Sequence, residues 1–208
     1  MNARIRRAGT SDREAVVRLL DAAFQDDPVS GWLFPDEEHR RSKHPLLMGA
    51  FFDIVLRSGR VDVLADASAA ALWLPVPEPE SPEEPEALEE SGDGGEDGPG
   101  RLRAEIDPDN ERIDLIGRLT AAIHPTLAHA YLWLIAVDPA RQGEGLGTAL
   151  IRSALDHGNG EGVPAYLEAS SPSSRALYER LGFVDRGPAL VLPDGPTLWP
   201  MWREPYVR

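Results

Sequence analysis

The 208 residues include no cysteine. That absence excludes a disulfide framework, a thiolate metal site and a cysteine nucleophile. No apolar run approaches the ~18 to 20 residues that span a bilayer. The N-terminal MNARIRRAG leads into charged residues and lacks the apolar stretch of a secretory signal. The expectation is a cytoplasmic protein.

Basic residues are also scarce: 21 Lys plus Arg face 35 Asp plus Glu, for a formal net charge of −14 and a pI near 4.7. Binding a nucleic-acid polyanion needs a concentrated cationic surface, as does adhesion to an anionic membrane. Neither is an expected partner. The acid is concentrated in residues 78–100, EPESPEEPEALEESGDGGEDGPG, which carry ten carboxylates and no base. That stretch accounts for ten of the fourteen net negative charges. Its prolines, glycines and mutually repelling acids offset little of the entropy of ordering, so it reads as a flexible acidic insertion.

What is present suits one globular core. At 22.7 kDa and 42% hydrophobic residues, the chain is long enough for one well-buried domain over 1–208 and short for two. Ala3 to Ala8 predicts a strand, and Ser11 with Glu14 reads as a capping box opening a helix to Phe24. Gln25 to Glu37, with Pro28 and Pro35, predicts a loop presenting Trp32 and Phe34. A second helix is expected over Glu38 to Arg57, with Leu46 and Leu47 among its inward residues. Pro45 should break it or delay its start. A hairpin of Val61 to Ala65 and Ala70 to Leu74 follows, then a helix over Glu111 to Ile123.

The C-terminal half carries the chemistry. Ala130 to Val137 is apolar at both parities, as in a central strand covered on both faces. The sequence VDPARQGEGLGT (Val137 to Thr148) then sets a glycine-rich turn before a helix over Leu146 to His157. Such a turn aims backbone N–H groups and a helix dipole at one anion. Gly143, Gly145 and Gly147 let a diphosphate approach the main chain. The turn is not a P-loop, because no Lys follows its last glycine, and GxGxG late in the chain is not a dinucleotide fingerprint. A strand over Pro164 to Ala169, a helix over Ser173 to Leu181, and strands over Phe183 to Leu192 and Leu198 to Arg203 complete a mixed α/β pattern. The last two join through Pro193, Asp194 and Gly195.

Gln142 to Gly147 fits [Arg/Gln]-x-x-Gly-x-[Gly/Ala], and LEASSPSSRALYERLGF (Leu167 to Phe183) ends in LYE-x-x-GF. In this order the two motifs resemble the GNAT superfamily of N-acetyltransferases. AFQDDP at Ala23 to Pro28, the stretch Val163 to Phe183 and the PDGP turn with Trp199 resemble the small-molecule enzymes related to puromycin N-acetyltransferase. The resemblance implies a twisted mixed sheet splayed between its fourth and fifth strands, flanked by helices. It also implies acetyl-CoA as co-substrate, no metal, a primary-amine acceptor, and room for a homodimer.

Carried over position by position, the family pattern assigns the pantetheine arm to Ile135, Ala136 and Val137. It assigns the diphosphate to Gln142, Gly143, Glu144, Gly145, Leu146, Gly147 and Thr148. Ser174 stands where many relatives contact CoA through Asn. Tyr178 would protonate the departing thiolate. An amine with a Lys-like pKa of about 10.4 must lose a proton before it attacks, so a base or a water chain is required. Glu168 and His129 are the candidates, with His124 third. Asp27 and Trp32, with Asp26 and Asp36, lie where relatives form the acceptor pocket. Carboxylates there either attract a cationic amine or are solvated turn residues. Two other functions fit the motifs: a non-catalytic acyl-CoA sensor, and acetylation of protein N-termini or lysines.

Overall fold

The structure is a computed structural model, and it describes residues 4–78 and 99–206. The predicted acidic insertion lies almost wholly outside the described residues. Among the described residues, eight strands form one open mixed sheet: β1 (Ile5–Arg7), β2 (Arg60–Leu64), β3 (Ala69–Val76), β4 (His129–Val137), β5 (Ala165–Ala169), β6 (Val184–Asp185), β7 (Leu190–Val191) and β8 (Thr197–Arg203). Their order is β1-β2-β3-β4-β5-β8-β6, with β7 also on β8. Only β4 and β5 run parallel; the other pairs are antiparallel.

The helices are α1 (Arg13–Phe24), α2 (Pro28–Leu33), α3 (Glu37–Ser58), α4 (Pro99–Ile106), α5 (Glu111–Ile123), α6 (Leu146–Glu161) and α7 (Pro172–Arg180). Two apolar layers sandwich the sheet. On one face Leu20, Phe34, Leu47 and Phe52 pack with Val63 and Leu72. On the other, Leu150 and Ile151 of α6 and Tyr178 of α7 pack with Leu132, Leu167 and Met201.

Two departures from regularity open the sheet. Parallel pairing of β4 with β5 is confined to Ala130↔Ala165 and Tyr131↔Tyr166. Beyond those pairs β5 stays with β8 as far as Ala169↔Trp199, while β4 stays with β3 as far as Val137↔Ala69. The strands therefore part like a wedge. Within β4 the register jumps from Trp73↔Leu132 to Leu72↔Leu134, so Trp133 is an extra, bulged residue. A bulge reverses which parity faces which side. Leu132 packs with α6, as do Ile135 and Val137 after the bulge, whereas Leu134 and Ala136 join the opposite core.

Several local expectations change. The predicted Ser11–Glu14 box does not form: Asp12 accepts from the Gly9 amide at 2.9 Å, and Glu14 pairs with Arg18. The segment predicted as a loop contains α2, because Asp27 caps it by accepting from Val29 N–H at 2.8 Å and Pro28 occupies its first turn. Its aromatics are not presented: Trp32 and Phe34 are core residues. Helix α3 passes through Pro45 unbroken, and Arg41, whose carbonyl loses its usual partner there, is exposed to water. Leu46 points outward, 52% exposed. The expected strand Phe183 to Leu192 splits into β6 and β7, with Gly187 at φ 79° between them.

Candidate active site

The wedge between β4 and β5 leads into a cavity of about 760 Å³. One end is the glycine-rich turn. Gly143 and Gly145 sit at φ 85° and 80°, the left-handed region that side chains with a Cβ rarely adopt. The first α6 hydrogen bond runs from Ala149 N–H to Gly145 C=O at 3.0 Å. The amides of Leu146, Gly147 and Thr148 before it have no intrahelical acceptor. They form a concentration of donors at the positive end of a helix that suits a diphosphate. Gly147 differs from the other two: it has no left-handed φ, and a Cβ there would meet Val137 and Ile135 at 3.4 and 3.6 Å, ordinary contact, so neither backbone nor packing demands glycine at this position.

Ile135, Val137, Gln142, Gly143, Gly145, Leu146, Gly147, Thr148 and Ser174 all line the cavity. Ala136 and Glu144 do not. Ala136 faces the opposite core because of the bulge, and Glu144 pairs with Arg141, at 2.9 Å, outside the cavity. The Ser174 hydroxyl is already engaged: it donates to the Ser171 carbonyl at 2.9 Å and accepts from the Ser171 amide at 3.1 Å, within the cap of α7. Arg180, which the motifs did not single out, is an exposed cation on the cavity wall.

The other end is walled by the first five helices. Phe24, Leu33, Leu47, Met48, Phe51 and Ile116 make it apolar. Two carboxylates enter this surface. Asp27 accepts from the Ser170 hydroxyl at 2.9 Å and from Val29 N–H at 2.8 Å, and burial pushes its pKa above the usual carboxylate range. Glu168 accepts from the Tyr131 hydroxyl at 2.7 Å, while its Oε1 is buried with no hydrogen-bond partner. Tyr178 lies on the cavity wall, 7% exposed. Its hydroxyl has no hydrogen-bond partner among the described residues. Burial raises its pKa, and the Asp27 charge raises it further, so the phenol stays protonated at neutral pH.

The remaining candidates fall behind this wall. His129 is 2% exposed and does not line the cavity; its Nδ1 donates to the Leu127 carbonyl at 2.6 Å and its Nε2 meets His124 Nε2 at 3.1 Å. Burial lowers its pKa. His124 lies 3.9 Å from Glu168, so the histidines back the carboxylate. Trp32 does not reach the cavity either. Its indole N–H donates to the Pro193 carbonyl at 2.8 Å, and a Cβ on Gly195 would lie 2.4 Å from its ring. Trp32 therefore ties α2 to the PDGP turn, which explains its burial without any ligand.

The match of this chain to the Acetyltransferase (GNAT) family covers residues 67–183, from β3 through β5 and α7. The chain belongs to the GNAT acetyltransferase family. Its members use acetyl-CoA as co-substrate. The curated relatives include a mycothiol acetyltransferase of Nocardioides sp., 28% identical over 86% of this chain and 48% of that protein. Another, from Streptomyces coelicolor, is 36% identical over 34% of this chain and 24% of its own length. The chain thus spans about half or less of the curated relatives it matches.

Among solved structures, one described as histone acetyltransferase HPA2 and related acetyltransferase from Corynebacterium glutamicum superposes with a TM-score of 0.71 at 24% identity. The match covers 100% of this chain and 99% of that one. Arylalkylamine N-acetyltransferase 2 from Aedes aegypti gives 0.67 at 16% identity, over 99% and 100%. These two likenesses show the fold. Among the described residues no His, Asp and Glu cluster could hold a metal, and no helix is long and apolar enough to cross a membrane.

Proposed function

We propose that this chain is an N-acetyltransferase that moves the acetyl group of acetyl-CoA to the primary amine of a small molecule with an apolar body. One observation carries the reading: a single cavity joins a glycine-rich anion cradle to an apolar chamber holding Asp27 and Glu168. The cradle suits the diphosphate, the unpaired β4 edge suits the pantetheine amides, and the chamber suits a cation with a hydrophobic remainder.

In this reading the amine attacks the thioester directly. Holding both reactants in one cleft supplies ~7 to 11 kcal/mol of the barrier. Asp27 attracts the ammonium, Glu168 accepts a proton, and Tyr178 donates one to the leaving thiolate. His129, with no face on the cavity, is not the base. The helical walls around the chamber favour a small acceptor over a protein N-terminus or lysine. The uncommitted phenol of Tyr178, close enough to Asp27 to feel its charge, favours turnover over a sensor. We further propose that residues 1–208 form one domain whose acidic segment takes no part in the chemistry.

The test is a panel of aryl-alkyl amines, polar polyamines and peptides, offered with acetyl-CoA and read by mass spectrometry of the products. Acetylated aryl-alkyl amines support the reading; acetylated peptides alone would replace it.

A further inference from the structure

Behind the Asp27 side of the chamber lies a second set of polar groups that the motifs do not assign. Ser30 of α2 lines the cavity and is 5% exposed. Its hydroxyl lies 3.1 Å from Nε2 of His44, a fully buried residue of α3. His44 Nδ1 lies 2.7 Å from Oδ1 of Asp21 on α1, whose side chain is 27% exposed. Gln25 donates to the same Asp21 oxygen at 2.7 Å. Three helices thus contribute one side chain each to a line from the cavity toward solvent.

The chemistry of the partners fixes the protons. A carboxylate only accepts, so Nδ1 of His44 carries its hydrogen toward Asp21, and in the neutral imidazole Nε2 keeps a lone pair that accepts the Ser30 O–H. The Ser30 oxygen still has lone pairs with which to accept. The charged groups facing His44 are Asp21 of α1 and Asp27 at the start of α2, both acidic.

Amine acetylation creates a demand that one base does not meet. An ammonium nitrogen loses one proton before it attacks and a second after the C–N bond forms; one proton goes back to the thiolate. Two acceptors and one donor are therefore needed. We propose that Ser30 and His44, held by Asp21, form a proton relay that takes the first of these protons. The inference rests on the amine-acetylating reading above. In the step, an ammonium N–H bond breaks as a bond to the Ser30 oxygen forms, and the original Ser30 proton passes to His44 Nε2. The nitrogen becomes neutral and His44 becomes cationic, so charge is conserved. The relay returns its proton through Ser30 to water once product has left. Glu168 is then free to take the second proton. Asp21 is a positioning residue, because it fixes the His44 tautomer without touching the acceptor.

The test compares two acceptors in the full chain: an amine that the wild type acetylates and a fluorinated analogue of it whose pKa lies below the assay pH. The analogue arrives neutral and needs no first deprotonation. Ser30→Ala and His44→Gln are expected to lower kcat about 100-fold for the parent amine and less than about tenfold for the analogue, with the KM of acetyl-CoA unchanged. Equal losses on both amines would make the cluster structural and overturn the relay, as would wild-type rates in Ser30→Ala. An acetylated Ser30, found by mass spectrometry after incubation with acetyl-CoA alone, would make the serine a nucleophile instead. If His44→Gln fails to fold, Ser30→Ala decides alone. A wild type that acetylates neither amine overturns the functional reading, and the relay with it.

Discussion

Asp27 and Ser170 are 143 positions apart in the chain and 2.9 Å apart in the fold. This hydrogen bond ties the start of α2 to the end of β5. It also places a half-buried carboxylate close enough to Tyr178 to raise that phenol's pKa. The apolar end of the cavity and Tyr178 are thereby held together.

Asp27→Asn should separate function from stability. Asn keeps the cap acceptor and can donate to Ser170, but it cannot attract an ammonium. Losing a charged hydrogen bond of ~1.5 to 3 kcal/mol lowers kcat/KM by about 10- to 100-fold. Because burial raises the folded-state pKa of Asp27, the native state holds its proton to higher pH than the unfolded chain does. Stability from this group is present below the unfolded pKa and lost as pH rises through the folded value. Thermal unfolding should therefore show Asp27→Asn more stable than wild type at pH 7, with the gain vanishing in acid.

Removing the Tyr178 hydroxyl should leave the fold intact. The oxygen has no hydrogen-bond partner among the described residues, so Tyr178→Phe costs no such bond and a melt should shift little. The turnover number should fall about 100-fold or more, as expected for loss of a general acid. Since burial and Asp27 both raise the phenol's pKa, any alkaline limb of the wild-type profile belongs to another group.

The Tyr131 hydroxyl donates to Glu168 at 2.7 Å and holds that carboxylate at the cavity wall. Tyr131→Phe should lower kcat by about tenfold, because Glu168 loses the hydroxyl that orients it. His129→Gln should leave kcat within about twofold of wild type. A His129→Gln variant whose kcat falls about 100-fold would restore the histidine as base.

Two glycines on one segment give a controlled comparison. Gly145→Ala forces a Cβ into the left-handed region at a cost of about 1 to 2 kcal/mol and should weaken acetyl-CoA binding about tenfold. Gly160, exposed in α6 with open space around it, should accept Ala with unchanged affinity. Calorimetric titration with CoA reads both.

The glycine-rich turn was legible in the sequence because its left-handed backbone at Gly143 and Gly145 demands glycine, and a glycine spacing survives in one dimension. Helix α5 was legible because its apolar residues recur with the helical period. Helix α2 was hidden by treating Pro28 as a breaker, although proline after a capping aspartate is a start signal. The Trp133 bulge was written as apolarity at both parities, which reads equally as a strand buried on both sides. Trp32 looked like a pocket aromatic, and only the folded chain shows its indole on the Pro193 carbonyl. The Ser30, His44 and Asp21 set had no signal at all, since its members come from three helices with no fixed spacing.

The central claim is that one cavity brings acetyl-CoA and a small apolar amine together for direct transfer. It is tested most directly by the rate of thiol release from acetyl-CoA by the full chain, with and without a phenyl-bearing primary amine. The account predicts saturable release that depends on the amine and matches the acetylated amine formed mole for mole. Tight CoA binding with no amine-dependent release across such amines would contradict it.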